Sequence, residues 1–186
     1  MILHAAARLA TVEGLDGLTI GRLATETGMS KSGLFAHFGS KEALQLATIE
    51  AAGDVFEEEV LRPALEVEGL ARVHALAERF LSHVDRGVFP GGCFFASAGA
   101  EMDTRPGRVR DRVVEFRGAW VELIEDGLRT AKERGELAPS ADPAQLAFEI
   151  NALLGEANGV YLASGDRRAF DMALRGIADR LERAAA

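Results

Sequence analysis

Apolar residues recur at helical spacing along most of the chain, and the alternation of apolar and polar residues that is typical of strands is nearly absent. Glycine and proline interrupt this pattern at Gly28, Pro63, residues 88–92 and Gly135, where helices are expected to end. The pattern therefore predicts an all-α protein.

Two short helices joined by a tight turn are expected near the start of the chain. Apolar residues recur at helical spacing from Ile20 to the stop signal at Gly28, and Ser30 is a natural cap for a helix that begins at Lys31. Leu34 and Phe38 lie one turn apart and are expected to point inward, which leaves Lys31, Ser32, Gly33, Phe35 and His37 exposed. A helix-turn-helix of this kind places its second helix in the major groove of DNA.

Four motifs stand in a fixed order between residues 2 and 44: ILHAAARL, GLDGLT, LATETGMS and LFAHFGSKEAL. Together they resemble the DNA-binding domain of the TetR family of bacterial transcriptional regulators, although Phe35 and Gly33 stand where that family typically has Tyr and Thr. The resemblance implies a three-helix helix-turn-helix domain, residues 1–45, followed by a larger helical effector-binding and dimerisation domain, residues 46–186.

The resemblance also implies which residues contact DNA. Lys31 is the best candidate for a base contact, because its ammonium can donate to O6 and N7 of guanine, and neighbouring side chains are expected to brace phosphates. Lys41 would start a helix, where its charge opposes the helix dipole, so a nearby phosphate would explain its position. For Thr19 a helix cap, and for His37 a solvated side chain, are the alternatives. The predicted DNA-binding residues are Thr19, Ser30, Lys31, Ser32, Gly33, Phe35, His37 and Lys41.

The net charge of −8 at first argues against a nucleic-acid partner. Its distribution changes that conclusion, because residues 1–50 hold four Lys or Arg and five Asp or Glu, whereas residues 51–186 hold 17 and 24. No Asp or Glu lies between Met29 and Lys41. Most of the excess negative charge therefore lies outside the expected DNA surface.

The remaining helices are expected to form the second domain. A long helix capped by Ser40 is predicted to run from Lys41 toward Pro63. Later helices are predicted over about 69–86, 93–102, 108 to Gly135, from Pro143 with Asp142 as its cap, and after Asp166.

The resemblance implies a cavity for a small-molecule effector between about residues 45 and 164. Large side chains and a few polar groups are the candidates to line it, and ordinary core packing is the alternative for each. The predicted ligand-binding residues are Phe80, His83, Cys93, Phe95, Phe116, Trp120, Asn158 and Tyr161.

The last two helices, which are amphipathic and contain small residues, are expected to build a four-helix interface with a twofold partner. The resemblance implies the same homodimer. The predicted interface residues are Leu146, Ile150, Leu153, Gly155, Gly159, Phe170, Leu174, Ile177 and Leu181.

Other classes of function find little support. The chain shows no nucleophile elbow, triad spacing or phosphate loop, its four histidines lack metal-ligand spacing, and no apolar run is long enough for a membrane span. Cys93 is read as a buried apolar residue, with a reactive thiol at a helix start as the alternative. We expect a cytoplasmic regulator, a repressor released by its effector, without catalytic residues, metal or cofactor. A dimeric interaction module that does not read DNA and an all-α enzyme remain as alternatives.

Overall fold

The computed structural model describes residues 2–186, and in this range it contains helices and no strand. An isolated bridge joins Leu137 to Ala185. The all-α prediction is therefore confirmed. The helices are α1 Ile2–Glu13, α2 Ile20–Thr27, α3 Lys31–Phe38, α4 Lys41–Phe56, α5 Arg62–Ala64, α6 Gly69–Asp85, α7 Phe94–Met102, α8 Arg108–Glu133, α9 Pro143–Ser164 and α10 Arg168–Glu182.

Capping residues define several helix ends where the sequence places them. Gly28 ends α2 in the left-handed conformation, with φ of 66°. The Ser30 hydroxyl accepts a hydrogen bond from the Gly33 N–H at 3.1 Å at the start of α3. The Asp142 carboxylate accepts from two N–H groups at the start of α9, where Pro143 occupies the first turn. Each cap satisfies backbone groups that the helix leaves without an internal partner.

The predicted continuous helix from Lys41 to Pro63 is wrong in its last part. The α-helical backbone ends at Phe56, and a π-helical turn, Glu57–Leu61, precedes the short helix α5. Pro63 has no N–H to donate to the carbonyl four residues earlier, and its ring collides with that carbonyl. A wider turn just before the proline accommodates both effects.

The chain divides into two compact units, and the first combines the residues up to Phe56 with Gly87–Arg117. Helix α1 lies at its centre, where it contacts α2, α4 and α7. The core of this unit consists largely of leucine and phenylalanine side chains with almost no exposed surface, including Leu15, Leu18, Leu23, Leu34, Leu44, Ile49, Phe89 and Phe94. This unit is larger than the DNA-binding domain expected from the sequence because α1 buries part of its surface against α7.

The second unit consists of Glu57–Arg86 and Gly118–Ala186. Helix α6 contacts α5, α9 and α10, and α9 packs along α10. Its buried side chains include Val73, Leu76, Leu128, Leu137, Ile150 and Ile177. In the part of the chain that the structure describes, no helix combines the length and the apolar character that a membrane crossing requires.

Candidate nucleic-acid interface and helical body

Helix α3 is exposed to solvent except at Leu34, which is buried, and at Phe38, which is partly buried. Leu34 is 0% exposed and anchors the helix, whereas the Phe35 side chain is 56% exposed. We call the exposed side chains of Lys31, Ser32, Phe35 and His37 the α3 surface. The His37 ring meets the Phe38 ring edge to face, with 4.6 Å between centroids. The α3 surface therefore carries one cation, a hydroxyl, an imidazole and an apolar ring.

The structure leaves all eight predicted DNA-contact residues exposed: Thr19, Ser30, Lys31, Ser32, Gly33, Phe35, His37 and Lys41. Lys31 forms no ion pair with any residue in the range 2–186. Its ammonium is thus available to an external partner. Direct contact of these eight residues with DNA stays a prediction.

Two of the predicted contact residues already serve as helix caps. The Thr19 hydroxyl accepts from the Arg22 N–H at 3.0 Å, which confirms the capping interpretation of this residue. Ser30 caps α3 in the same way, and the Ser32 hydroxyl lies 3.5 Å from the Ser30 hydroxyl. Since each capping oxygen is exposed, a cap and a phosphate contact are compatible.

The remaining cations near α3 are engaged by carboxylates that sequence reasoning did not identify. The Lys41 ammonium lies 2.6 Å from Asp16 Oδ1, and the Arg22 guanidinium lies 2.6 Å from Glu13 Oε1 and 3.1 Å from Glu26 Oε2. The hydrogen bond from Arg22 holds the pKa of Glu13 below its ordinary value. Because Asp16 offsets the charge of Lys41, no phosphate is needed to explain a lysine at the start of α4.

In the first unit, the predicted ligand residues Phe95 and Phe116 belong to a packed aromatic cluster. Their rings stack at 4.7 Å, Phe56 meets Phe95 edge to face at 6.1 Å, and the Arg112 guanidinium covers Phe116 at 4.4 Å. Phe95 is only 7% exposed. This arrangement supports the core-packing alternative for both residues.

Cys93 is buried just before α7, with 4% of its surface exposed. Burial raises the pKa of its thiol, which is the opposite of what a reactive thiolate requires. The interpretation of Cys93 as a small buried residue is confirmed.

In the second unit, the predicted ligand residues combine aromatic and polar groups. Phe80 stacks on Trp120 at 5.6 Å, and the Trp120 indole N–H donates to Asn151 Oδ1 at 3.0 Å. His83 and Asn158 are buried. Burial lowers the pKa of His83 to about 4. The charge of Glu59 raises this pKa by a smaller amount, and the charge of Arg86 lowers it. The sequence analysis missed Asn151, although it lies two helical turns before Asn158 on the same face of α9.

The eighth predicted ligand residue lies against α10. The Tyr161 ring packs on the Phe170 ring with 4.6 Å between centroids. A surface groove of about 420 Å³ in this unit is lined by residues of α6 and α10 together with Arg167, which precedes α10, and by none of the eight predicted ligand residues.

The predicted dimer residues need correction, because five of them are buried within this single chain: Leu146, Ile150, Phe170, Ile177 and Leu181. Their apolar stripe packs α9 and α10 together and against α6. Leu153 and Leu174 are partly buried, and Gly155 and Gly159 are exposed. An added Cβ at either glycine would meet nothing within 4 Å.

The outward side of α9 is apolar as well. Phe148 is 67% exposed, and Ala152, Gly155 and Gly159 follow it at helical spacing. On α10, Met172 is 63% exposed. A groove of about 500 Å³ between the two helices is lined in part by Phe148, Ala152 and Leu153. We call the exposed residues Phe148, Ala152, Gly155, Gly159 and Met172 the outer face.

Comparison with known proteins agrees with this architecture. Residues 2–48 match the family of bacterial regulatory proteins described as the tetR family, and residues 69–177 match the tetracyclin repressor-like C-terminal domain. A search of curated proteins found no match to this chain.

Solved structures of similar proteins cover almost the whole chain. A TetR transcriptional regulator from Chloroflexus aurantiacus J-10-FL is 26% identical, with a TM-score of 0.90 over 99% of this chain and 93% of that one. AibR, solved in complex with isovaleryl coenzyme A and operator DNA, is 25% identical, with a TM-score of 0.75 over 93% and 94% of the two chains. A TetR-family regulator from Cytophaga hutchinsonii shares the fold at 20% identity, with a TM-score of 0.85 over 100% and 93%. From its two matching domains and its fold, the chain belongs to the TetR family of bacterial transcriptional regulators.

Proposed function

We propose that this regulator binds operator DNA through the α3 surface and acts as a repressor that a small-molecule effector releases. The observation that carries the proposal is the exposure of Lys31 on a short helix held by buried Leu34, with no carboxylate between Met29 and Lys41. Lys31 is placed to donate to a guanine edge, while Thr19, Ser32 and His37 brace the phosphates. Such a regulator acts in the cytoplasm, where its operator lies.

The proposed active form is a homodimer that buries the outer face. Phe148 and Met172 expose large apolar surfaces, and the glycines at 155 and 159 leave room for the backbone of a second α9. A twofold pair presents two α3 helices to successive major grooves, about 34–36 Å apart, when they read a near-palindromic operator. The outer face thus replaces the buried residues of α9 and α10 as the proposed dimer interface.

The proposed effector site lies in the second unit, among α6, α8 and α9. Phe80 and Trp120 supply an aromatic wall, and Asn151, Asn158 and His83 supply polar groups. Small-molecule sites commonly combine an apolar lining with a few polar groups of this kind. The crystal structure of AibR with isovaleryl coenzyme A and operator DNA supports a regulator that responds to a ligand. The effector releases DNA only if it binds the DNA-free conformation more tightly.

The DNA-binding proposal is tested by fluorescence anisotropy with overlapping duplexes that together cover the DNA upstream of the protein's own gene. We expect one duplex to bind in a salt-dependent manner, and we expect Lys31→Ala to weaken that binding by about 1–3 kcal/mol through one base pair. Lys31→Ala with Lys41→Ala should abolish binding while the dimer persists in analytical ultracentrifugation. Binding that ignores sequence and salt, or a wild-type dimer that binds none of the duplexes, contradicts the proposal.

The effector proposal has a built-in reporter, because Trp120 is the only tryptophan. Isovaleryl coenzyme A and then a panel of small metabolites are titrated while Trp120 emission is recorded. A compound that changes the emission should also reduce DNA binding, and Asn158→Ala should weaken its effect while Glu156→Ala, an exposed neighbour, leaves it unchanged. A releasing compound whose action does not depend on Phe80 or Asn158 places the effector site elsewhere.

A further inference from the structure

Asp16, in the loop between α1 and α2, lies between two cations from distant parts of the chain. Its Oδ1 lies 2.6 Å from the Lys41 ammonium at the start of α4, and its Oδ2 lies 2.8 Å from the Arg105 guanidinium in the loop between α7 and α8. The hydrogen bonds from Lys41 and then from Arg105 hold the pKa of Asp16 below its ordinary value. The carboxylate is therefore charged at neutral pH and offsets part of the positive charge of Lys41 and of Arg105.

The loop that carries Asp16 is held in place by two further side chains. The Glu101 carboxylate of α7 accepts from the N–H of Leu15 at 2.6 Å and from the N–H of Asp16 at 2.9 Å. The Gln45 side-chain amide of α4 donates to the Leu15 carbonyl at 2.7 Å. Because both sides of this backbone are bonded, the position of the Asp16 carboxylate beside Lys41 is built into the first unit.

The ion pairs themselves remain open to exchange. The side chains of Lys41, Asp16 and Arg105 are 43%, 52% and 52% exposed, so water and salt reach all three. Exposed pairs of this kind contribute little to stability. A phosphate accepts charge-assisted hydrogen bonds from the same donors as a carboxylate does, and the planar fork of an arginine suits both groups, so a phosphate can take the place of Asp16.

We propose that Asp16 sets the affinity of this regulator for DNA: its carboxylate occupies Lys41 and Arg105 in the free protein, and a backbone phosphate of the operator replaces it. The inference rests on the proposed DNA-binding function. It adds Arg105, which lies outside the helix-turn-helix, to the phosphate-contacting residues. Asp16 is then a residue that competes with phosphate, so its removal strengthens DNA binding. Loss of a residue that contacts DNA directly weakens DNA binding.

The test uses the full-length protein and the upstream duplex that binds the wild type, with anisotropy measured from 50 to 300 mM KCl. Two exposed ion pairs together oppose binding by up to about tenfold. We expect Asp16→Asn to bind about 3- to 10-fold more tightly, with a steeper dependence of log K on log salt, because the gain is largest at low salt, where charges are screened least.

A matched control separates the local effect from the change in net charge. Asp126 is 53% exposed and paired with Arg72 in the second unit, so Asp126→Asn changes the total charge equally without touching Lys41 or Arg105. We expect its affinity to equal that of the wild type within about twofold. In the background of Lys41→Ala with Arg105→Ala, Asp16→Asn should have no effect. Asp16→Ser serves as a second charge-removing variant, and circular dichroism and a melting curve establish that each variant is folded.

The outcomes distinguish this inference from the proposed function. If the wild type binds, Lys31→Ala weakens binding, and a folded Asp16→Asn or Asp16→Ser binds no more tightly than Asp126→Asn, the role of Asp16 is refuted while the proposed function stands. The role of Asp16 is also refuted if Asp16→Asn raises the affinity for DNA equally in the background of Lys41→Ala with Arg105→Ala. If neither the wild type nor Asp16→Asn binds any upstream duplex, the proposed function itself fails, and the inference fails with it.

Discussion

Gly53 offers a stringent test of the aromatic packing in the first unit. It is buried in α4, and a Cβ added there would lie 2.5 Å from the Phe116 ring, well inside van der Waals contact. The Phe116 ring has little room to move, because Phe95 stacks on it at 4.7 Å and the Arg112 guanidinium covers it at 4.4 Å. The structure therefore predicts that Gly53→Ala forces two packed groups apart.

The magnitude follows from two opposing effects. Overpacking a well-packed site costs about 1–3 kcal/mol, whereas alanine is favoured over glycine inside a helix by about 0.5–1 kcal/mol. We expect Gly53→Ala to lower the free energy of unfolding by about 1–2 kcal/mol and the melting temperature by about 2–8 °C. Urea unfolding followed by circular dichroism measures the first quantity, and differential scanning calorimetry measures the second.

Gly118 provides the matched control, since it lies inside α8, is exposed and has nothing within 4 Å of an added Cβ. Gly118→Ala should raise the free energy of unfolding by about 0.5–1 kcal/mol. Phe116→Leu should relieve the clash, so that the double variant with Gly53→Ala loses less stability than the two single variants together. If Gly53→Ala stabilises the protein as much as Gly118→Ala does, the Phe116 ring does not pack on α4 and the reasoning is refuted.

Three further predictions concern a cap, a buried histidine and the cysteine. Ser30→Ala should cost about 1 kcal/mol in urea unfolding because the Gly33 N–H loses its acceptor, whereas a change within about 0.5 kcal/mol is expected for Ser32→Ala; equal losses would contradict the cap. Burial lowers the pKa of His83 to about 4, so below about pH 6.5 His83 is protonated in the unfolded chain while it stays neutral in the folded chain. Stability should therefore fall by about 2 kcal/mol between pH 7 and pH 5, and His83→Gln should lose less over the same interval; an identical pH profile for the two proteins would argue against a neutral buried imidazole. Native Cys93 should react with a thiol reagent on the order of 100-fold more slowly than the urea-unfolded chain, since burial raises the pKa of its thiol; fast native labelling would show an accessible thiolate.

Local signals determined much of the fold before any tertiary information. The cap Asp142 with Pro143, the stop at Gly28 and the cap Ser30 each act within a few residues of the helix end that they define. Their effects depend on backbone geometry alone, so the sequence predicted these boundaries closely. The π-helical turn before Pro63 was missed because its widening depends on how the chain accommodates the proline.

The candidate site shows the same division. The burial of Leu34 and the exposure of Lys31 are properties of one short helix, and the sequence predicted both. Asp16 stands 25 positions before Lys41 and 89 before Arg105, and no periodicity relates them. Only the packing of α1 against α4 and α7 brings these three charges together.

The dimer surface illustrates why a pattern alone does not decide which face a helix buries. Apolar periodicity in α9 identified Leu146 and Ile150, which are the residues most shielded from water, and the chain itself supplies that shielding through α6 and α10. Phe148 and Gly155 carry a weaker signal, because their exposure depends on where the neighbouring helices stop covering α9. The sequence by itself determined the helices, their caps and the polar side of α3, since these follow from interactions between near neighbours. Tertiary structure alone decided which apolar faces remain open and which charges meet, since both depend on contacts between residues far apart in the chain.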